Sequence, residues 1–93
     1  MKTKQIKIDE ARFLVSVGGK NADLTRKEYD ILLALYKADG IVLTRLALLS
    51  MVWGLKGSTL DSRIVDQTVA RLRKKIGPVI GTVPTRGYSY IGL

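Results

Sequence analysis

Basic side chains on one predicted helix are the part of this sequence best suited to chemistry. Residues 62 to 77 contain five Lys or Arg residues and a single acid, Asp66. Cationic side chains donate hydrogen bonds to phosphates and to the edges of bases. A solvated helix usually mixes acids with its bases so that they pair at i, i+4. The missing acids therefore indicate a partner that supplies negative charge.

The same segment carries two different faces. Its apolar residues recur at a helical spacing that confines them to one narrow stripe, which is predicted to face a core. This stripe consists of Val65, Val69, Leu72 and Ile76. The outward face consists of Arg63, Gln67, Ala70, Arg71 and Lys74, with Arg73 on one flank and Thr68 and Lys75 on the other. The outward face is predicted to bind the partner.

The composition excludes several classes of function. The chain has 93 residues and neither Cys nor His, so it lacks thiolate and imidazole ligands and the commonest general base. Its eight acids are scattered among predicted turns and caps, whereas a nucleic-acid enzyme needs clustered carboxylates or a nucleophile with a base. We therefore expect a single domain of residues 1–93 that is not an enzyme and uses no metal or cofactor.

The distribution of charge points to nucleic acid. The formal net charge is +8, and residues 62 to 93 contribute six bases against one acid. Such a charge favours either nucleic acid or an anionic membrane surface as the partner. The sequence has no apolar run of about 18 residues and no signal-peptide core, so we expect a cytoplasmic protein without a membrane partner.

Short strands are predicted before the helices. Apolar residues alternate around Ile6 and Ile8 and again at Phe13, Val15 and Val17, with a turn at Gly18-Gly19 between the second strand and a third. This antiparallel sheet spans about residues 5–24. It carries no residue that we assign to function, and we expect it to serve as a scaffold.

Two helices are predicted between this sheet and the basic helix. Thr25 and Glu28 form a capping box that begins a helix over about 25–39, and Gly40 is expected as its left-handed C-terminal residue. The core side of this helix is predicted to consist of Tyr29, Leu32, Leu35 and Tyr36. Thr44 is expected to cap a second helix over about 44–53.

A hairpin is predicted after the basic helix, over about residues 79–91. Its tip consists of Pro84, Thr85 and Arg86, and Gly87 is expected to take a positive φ as the chain returns. A pair of helices, the second one basic, followed by such a hairpin is typical of an α+β winged helix-turn-helix. This fold places its second helix, here 62–76, in the DNA major groove and the hairpin over the minor groove.

The sequence also resembles a known family. The ordered segments are Leu24-Thr25-x-x-Glu28-Tyr29, Gly40-Ile-Val-Leu-Thr-Arg45, Val52-Trp53-Gly54, Arg63-x-Val65-Asp66, Arg71-Leu72-Arg73-Lys74-Lys75-Ile76 and Thr82-Val83 followed by Arg86-Gly87-Tyr88. They resemble the C-terminal effector domain of OmpR/PhoB-type response regulators. The resemblance implies a winged helix with a four-stranded N-terminal sheet. It also implies transcription regulation by a homodimer on direct-repeat DNA half-sites.

The resemblance further implies a place in a two-component phosphorelay. A phosphorylatable receiver domain is expected upstream, so this chain is either an excised domain or a receiver-less relative. The helix positions that contact DNA in the family fall on Arg63, Thr68, Arg71, Arg73 and Lys74, and Thr82 falls where the wing meets a phosphate. The loop between residues 53 and 62 falls where family activators touch RNA polymerase, and its expected contacts are Leu55, Lys56, Ser58 and Thr59.

Two positions depart from the family pattern. Pro84 stands where the wing arginine is usual, and Arg86 follows two places later, so we expect Arg86 to take over the wing contact. Leu46-Ala47 replaces the acidic pair that is common at the start of the second helix. An alternative function is a protein interaction module, in which the third helix packs on a protein. That alternative predicts an apolar or mixed outward face, whereas this one is basic.

Overall fold

The computed structural model describes residues 6–54 and 61–92. Three helices follow a small sheet and precede a hairpin, so the predicted winged helix-turn-helix class is confirmed. The elements are β1 (Ile6–Asp9), β2 (Leu14–Val17), β3 (Lys20–Ala22), α1 (Arg26–Ala38), α2 (Arg45–Trp53), α3 (Arg63–Ile76), β4 (Ile80–Val83) and β5 (Gly87–Tyr90).

The N-terminal sheet is antiparallel in the order β1-β2-β3. Gly18 and Gly19 join β2 to β3 with φ of 59° and 86°, the positive values that a two-residue hairpin turn requires. Within the described residues the sheet has three strands, one fewer than the resemblance implies. The prediction that Phe13 belongs to β2 was wrong. Phe13 has a φ of 56° and lies in the preceding turn, where the Arg26 guanidinium stacks 4.6 Å from its ring centroid.

The capping box at the start of α1 is confirmed. The Thr25 hydroxyl accepts from the Glu28 amide at 3.2 Å, and the Thr25 amide donates to the Glu28 carboxylate at 3.0 Å. Two details of the prediction were wrong. Asp39, not Gly40, is the left-handed C-cap, with φ 50° and ψ 58°. Tyr36 is 43% exposed and rests edge-on against Tyr90, whereas Ile31, which was not predicted on the core side, is fully buried.

One hydrophobic core joins the three helices. The predicted apolar stripe of α3 is confirmed, since all four of its side chains are buried. Thr44 caps α2 as predicted, with its hydroxyl accepting from the Ala47 amide at 3.0 Å. The buried apolar residues are Val15, Tyr29, Ile31, Leu32, Leu35, Leu48, Leu49, Val65, Val69, Leu72, Ile76, Val79, Ile80 and Tyr88. The position of α3 in this core decides which of its faces is exposed.

The C-terminal hairpin, or wing, is tied to the link between α1 and α2. Leu43 forms an isolated bridge with Tyr88 through two backbone hydrogen bonds of 2.8 and 3.0 Å. At the tip, the Arg86 amide donates to the Val83 carbonyl at 3.0 Å, and Thr85 has a φ of 63°. Because Pro84 fixes a negative φ before Thr85, this is a type II turn. Thr85 thus adopts a conformation that β-branched residues rarely take.

Gly87 is required by the packing of the wing. Its φ is 148°, so the predicted positive value is confirmed. A Cβ at this position would lie 2.0 Å from the Leu43 carbonyl oxygen and 2.9 Å from the Thr44 Cα. The bridge between Leu43 and Tyr88 therefore leaves no room for a side chain.

Gly87→Ala is expected to lower the free energy of unfolding by about 3 kcal/mol or more, because backbone atoms must move. Gly19→Ala is the matched control, since Gly19 also has positive φ but a Cβ added there would meet nothing within 4 Å. That control should lose only about 1–2 kcal/mol. Urea denaturation measures both values. Equal losses would show that the approach of Leu43 does not constrain residue 87.

Candidate nucleic-acid interface

Asp61 organises the first turn of α3. Its carboxylate accepts from the Arg63 amide at 2.9 Å, while Ser62 makes no side-chain cap. The Arg63 guanidinium also donates to Asp61, with Nη2 2.7 Å from Oδ2. This pairing lowers the pKa of Asp61, first through the hydrogen bond from the Arg63 side chain. Arg63 is therefore exposed, with its charge paired to Asp61 through Nε and Nη2, while the hydrogens of Nη1 stay free to donate to a ligand.

The outward face of α3 presents the side chains that the sequence predicted there. Gln67, Ala70, Arg71 and Lys74 are all exposed. The side chains of these residues form no hydrogen bond or ion pair with any other described residue. Ala70 lies between them and adds no bulk, so a flat or concave partner can approach the helix closely. The arrangement is an open set of hydrogen-bond donors along one helical stripe.

Thr68 does not belong to this surface. It is 3% exposed, and its hydroxyl donates to the Ile64 carbonyl of the preceding turn at 2.8 Å. The flank of α3 on which it lies packs into the core. The expectation that Thr68 contacts DNA is therefore corrected, because its side chain is covered by the protein and its hydrogen atom is already used.

Arg73 connects α3 to the wing. Its guanidinium donates to the Ile80 carbonyl at 2.7 and 3.1 Å and to the Thr82 hydroxyl at 2.7 Å. It also lies 5.5 Å from the centroid of the Tyr88 ring. This side chain positions the wing, and its expected direct DNA contact stays a prediction. Its partners are neutral, so the positive charge of Arg73 is retained at the base of the wing.

The wing offers two exposed candidates. The Thr82 hydroxyl accepts from Arg73, which leaves the hydrogen atom of Thr82 free to donate outward. Arg86 is exposed at the turn, and its backbone amide closes that turn. Of the eight residues predicted to contact DNA, five thus lie on open surface without an ion pair to any described residue. These are Gln67, Arg71, Lys74, Thr82 and Arg86.

A junction of three elements was missed in the sequence. The Asp66 carboxylate accepts from Arg45 of α2 at 2.7 Å and from the Tyr88 hydroxyl of β5. The Arg45 guanidinium also lies 5.2 Å from the centroid of the Tyr88 ring. Burial raises the pKa of Asp66, but the hydrogen bonds from Tyr88 and Arg45 outweigh it and lower the value overall. Asp66 looked isolated in the sequence because both of its partners are distant along the chain.

A second charged contact joins α3 to α1. Lys75 donates to the Glu28 carboxylate at 2.8 Å and to the Asp23 carbonyl at 2.9 Å. Glu28 is almost fully buried. Burial raises the pKa of Glu28, but the hydrogen bonds from Lys75 and Thr25 outweigh this effect and leave the pKa below its usual range. The charge of Lys75 is therefore used inside the protein.

Three further points of the sequence analysis concern the RNA polymerase contacts, a membrane span and a metal site. The expected RNA polymerase contacts Leu55, Lys56, Ser58 and Thr59 fall outside the described residues. Across 6–54 and 61–92, no helix is long and apolar enough to cross a membrane. The same residues contain no group of three or more acids that could hold a metal ion.

Comparison with known proteins agrees with this geometry. Residues 19–90 match the family described as transcriptional regulatory protein, C terminal. The chain belongs to this family. The response regulator ArlR of Staphylococcus aureus is 36% identical over 91 residues, which are 92% of this chain and 40% of ArlR. The chain thus spans about 40% of the length of this curated relative.

Solved structures of the same family superpose closely. The Klebsiella pneumoniae RstA DNA-binding domain, solved in complex with RstA box, is 31% identical with a TM-score of 0.82. The match covers 97% of this chain and 94% of that one. Thermotoga maritima DrrB, an OmpR/PhoB homolog, is 35% identical with a TM-score of 0.86, covering 99% of this chain and 44% of DrrB. The recognised OmpR/PhoB-type winged helix is therefore confirmed.

The Glu28–Lys75 contact makes stability depend on pH. Because the pKa of Glu28 is lower in the folded protein than its ordinary value of 4.5, the ionised form favours folding. This contribution is present above pH 4.5 and is lost as the pH falls through the lower folded value. Glu28→Gln should therefore lower stability at neutral pH and flatten the acid limb of the stability curve, measured by urea unfolding between pH 7 and about pH 3. Asp30→Asn, on the same helix, is the control. An unchanged acid limb in Glu28→Gln would contradict the assignment.

Proposed function

We propose that this chain binds double-stranded DNA in a sequence-specific manner and regulates transcription. The observation that carries the proposal is the exposed stripe of Gln67, Arg71 and Lys74. The stripe contains no acid, and its side chains form no hydrogen bond or ion pair with the described residues. The basic face argues against the alternative of a protein interaction module, whose contact surface is depleted of lysine. The solved RstA relative, a DNA-binding domain in complex with RstA box, supports the proposal.

The dimensions of α3 suit the major groove. An α-helix with its side chains is about 10–12 Å wide, and the groove is about 12 Å wide. With the apolar stripe in the core, the opposite stripe enters the groove. Arg71 lies in the middle of α3, where its planar guanidinium can bind O6 and N7 of a guanine. Lys74 lies one turn nearer the end and suits a phosphate. Gln67 can pair with an adenine edge.

The wing is proposed to contact the adjacent backbone and minor groove. The Thr82 hydroxyl, held by Arg73, donates to a phosphate, and the retained charge of Arg73 strengthens the local field. Arg86 extends from the turn that Pro84 presets. A guanidinium at this position suits the minor groove of A·T-rich sequence, where the negative potential is greatest.

Further properties are proposed for the protein as a whole. The family and the 40% coverage of ArlR suggest that the domain acts with an upstream receiver in a two-component system. We propose a cytoplasmic homodimer on repeated DNA half-sites. The segment between α2 and α3 is the proposed contact for RNA polymerase.

A binding selection from random double-stranded DNA tests the proposal. The chain is expected to enrich one short motif, and the selected duplex should bind at least about a hundredfold more tightly than a scrambled duplex at the same salt concentration. The ratio of the two affinities is the test, because phosphate contacts contribute to both duplexes and only base recognition separates them. Failure to enrich any motif by the folded chain would overturn the proposed function.

Arg71 and Lys74 are expected to act differently on the selected duplex. Arg71→Ala should flatten the preference at one base pair, which a bidentate contact discriminates by about 1–3 kcal/mol. Lys74→Ala should weaken binding to all sequences about equally. Arg12→Ala is the control, because Arg12 is an exposed arginine in the turn between β1 and β2. Fluorescence anisotropy against a complete base-substitution series measures all three variants. An unchanged preference in Arg71→Ala would refute its role in base recognition.

A further inference from the structure

The flanks of α3 are covered by different elements. Residues 73 and 75 lie about 200° apart around the helix, so their side chains leave it on nearly opposite sides. On one flank Arg73 binds β4 through Ile80 and Thr82. On the other flank Lys75 binds Asp23, immediately after β3, and Glu28. The wing and the N-terminal sheet therefore lie on opposite sides of α3.

A basic cleft lies on the side away from the wing. Lys20 and Asn21 of β3 line it together with Lys74 and Lys75 of α3, and its remaining lining residues are apolar or glycine. No acid from the described part of the chain lines this cleft. Lys75 is neutralised by Glu28, whereas Lys20 and Lys74 form no ion pair within the described residues. The cleft thus holds two uncompensated positive charges.

The outward stripe of α3 runs into this cleft. Lys74 belongs both to the stripe and to the lining of the cleft. Lys20 pairs with Val17, which also lines the cleft, so Lys20 lies on the face of the sheet that is turned towards α3. The neighbouring turn consists of Gly18 and Gly19 and carries no side-chain bulk. A Cβ built on Gly19 meets nothing within 4 Å.

We propose that the β2–β3 hairpin is a second backbone contact for DNA, in which Lys20 and Lys74 bind a phosphate of the strand opposite the wing. This inference rests on the proposed function. A helix in the major groove has one sugar-phosphate backbone on each side. The wing meets one of these backbones, and the open glycine turn allows the other to approach Lys20. The N-terminal sheet, assigned above only to a scaffold, then contributes to affinity.

The experiment compares Lys20→Ala with Lys7→Ala. Both residues are exposed lysines of the same sheet, but Lys7 pairs with Ser16 and lies on the face turned away from α3. Each change removes one positive charge, so any difference reports position rather than net charge. Lys20→Arg keeps the charge and serves as the rescue variant. Affinity for the selected duplex is measured by anisotropy at several salt concentrations.

Lys20→Ala is expected to lose about three- to tenfold in affinity and to reduce the log–log salt slope by about one, with base preferences unchanged. Lys7→Ala and Lys20→Arg should bind like the parent chain. In Lys20→Ala, the interference that phosphate ethylation causes in the parent chain should disappear at one position on the backbone opposite the wing. If Lys20→Ala and Lys7→Ala bind alike while Arg71→Ala is still impaired, the hairpin contact is refuted and the proposed function stands. If the parent chain selects no DNA, both fail.

Discussion

Burial of one face of α3 is the constraint on which the rest of the structure depends. Val65, Val69 and Leu72 have no exposed surface, and Ile76 is almost as completely buried. Each such side chain stabilises the fold by about 1.5–3 kcal/mol when it leaves water. Rotating α3 would expose these groups and bury Arg71 and Lys74 without partners, at a cost of several kcal/mol for each charge. The packing of the core therefore fixes which residues face the ligand.

The wing is held to α3 by polar contacts around Tyr88. The Tyr88 backbone pairs with Leu43, and the Tyr88 hydroxyl donates to Asp66. The guanidiniums of Arg45 and Arg73 lie beside the Tyr88 ring. Four segments of the chain thus meet at one residue: β5 itself, α2, α3 and the link between α1 and α2. Because the hydrogen bonds among these contacts are directional, they hold the wing at a set distance from the outward face of α3. The two proposed DNA-contacting elements are positioned together.

Much of this arrangement could be predicted from the sequence, because it follows from local rules. The capping box of Thr25 and Glu28, the helical spacing of the α3 stripe and the paired glycines at 18 and 19 each involve residues that are close along the chain. Predictions that depended on distant partners were less complete. Thr68 and Arg73 are polar residues on the flanks of α3, and only the folded chain shows that one is buried and the other is bound to the wing. The roles of Asp66 and Lys75 were missed for the same reason.

Leu43 illustrates the limit of local patterns. Nothing in the segment between α1 and α2 indicates that its carbonyl approaches residue 87, yet this approach decides that residue 87 is glycine. Likewise, no spacing rule brings Lys20 and Lys74 to the same cleft, because the two residues lie far apart along the chain. Contacts between elements require the register of the sheet and the packing angle of the helices, and neither is encoded in a single short motif.

The salt dependence of binding to the selected duplex tests the central claim most directly. Arg71, Lys74 and Arg86, with Lys20 as the proposed fourth contact, each bring one positive charge against the DNA and should displace counterions from it on binding. The logarithm of the association constant should then fall with the logarithm of salt concentration with a slope of about −3 to −4 per domain. A slope of about −1 or shallower would show that the basic face of α3 and the wing are not the interface.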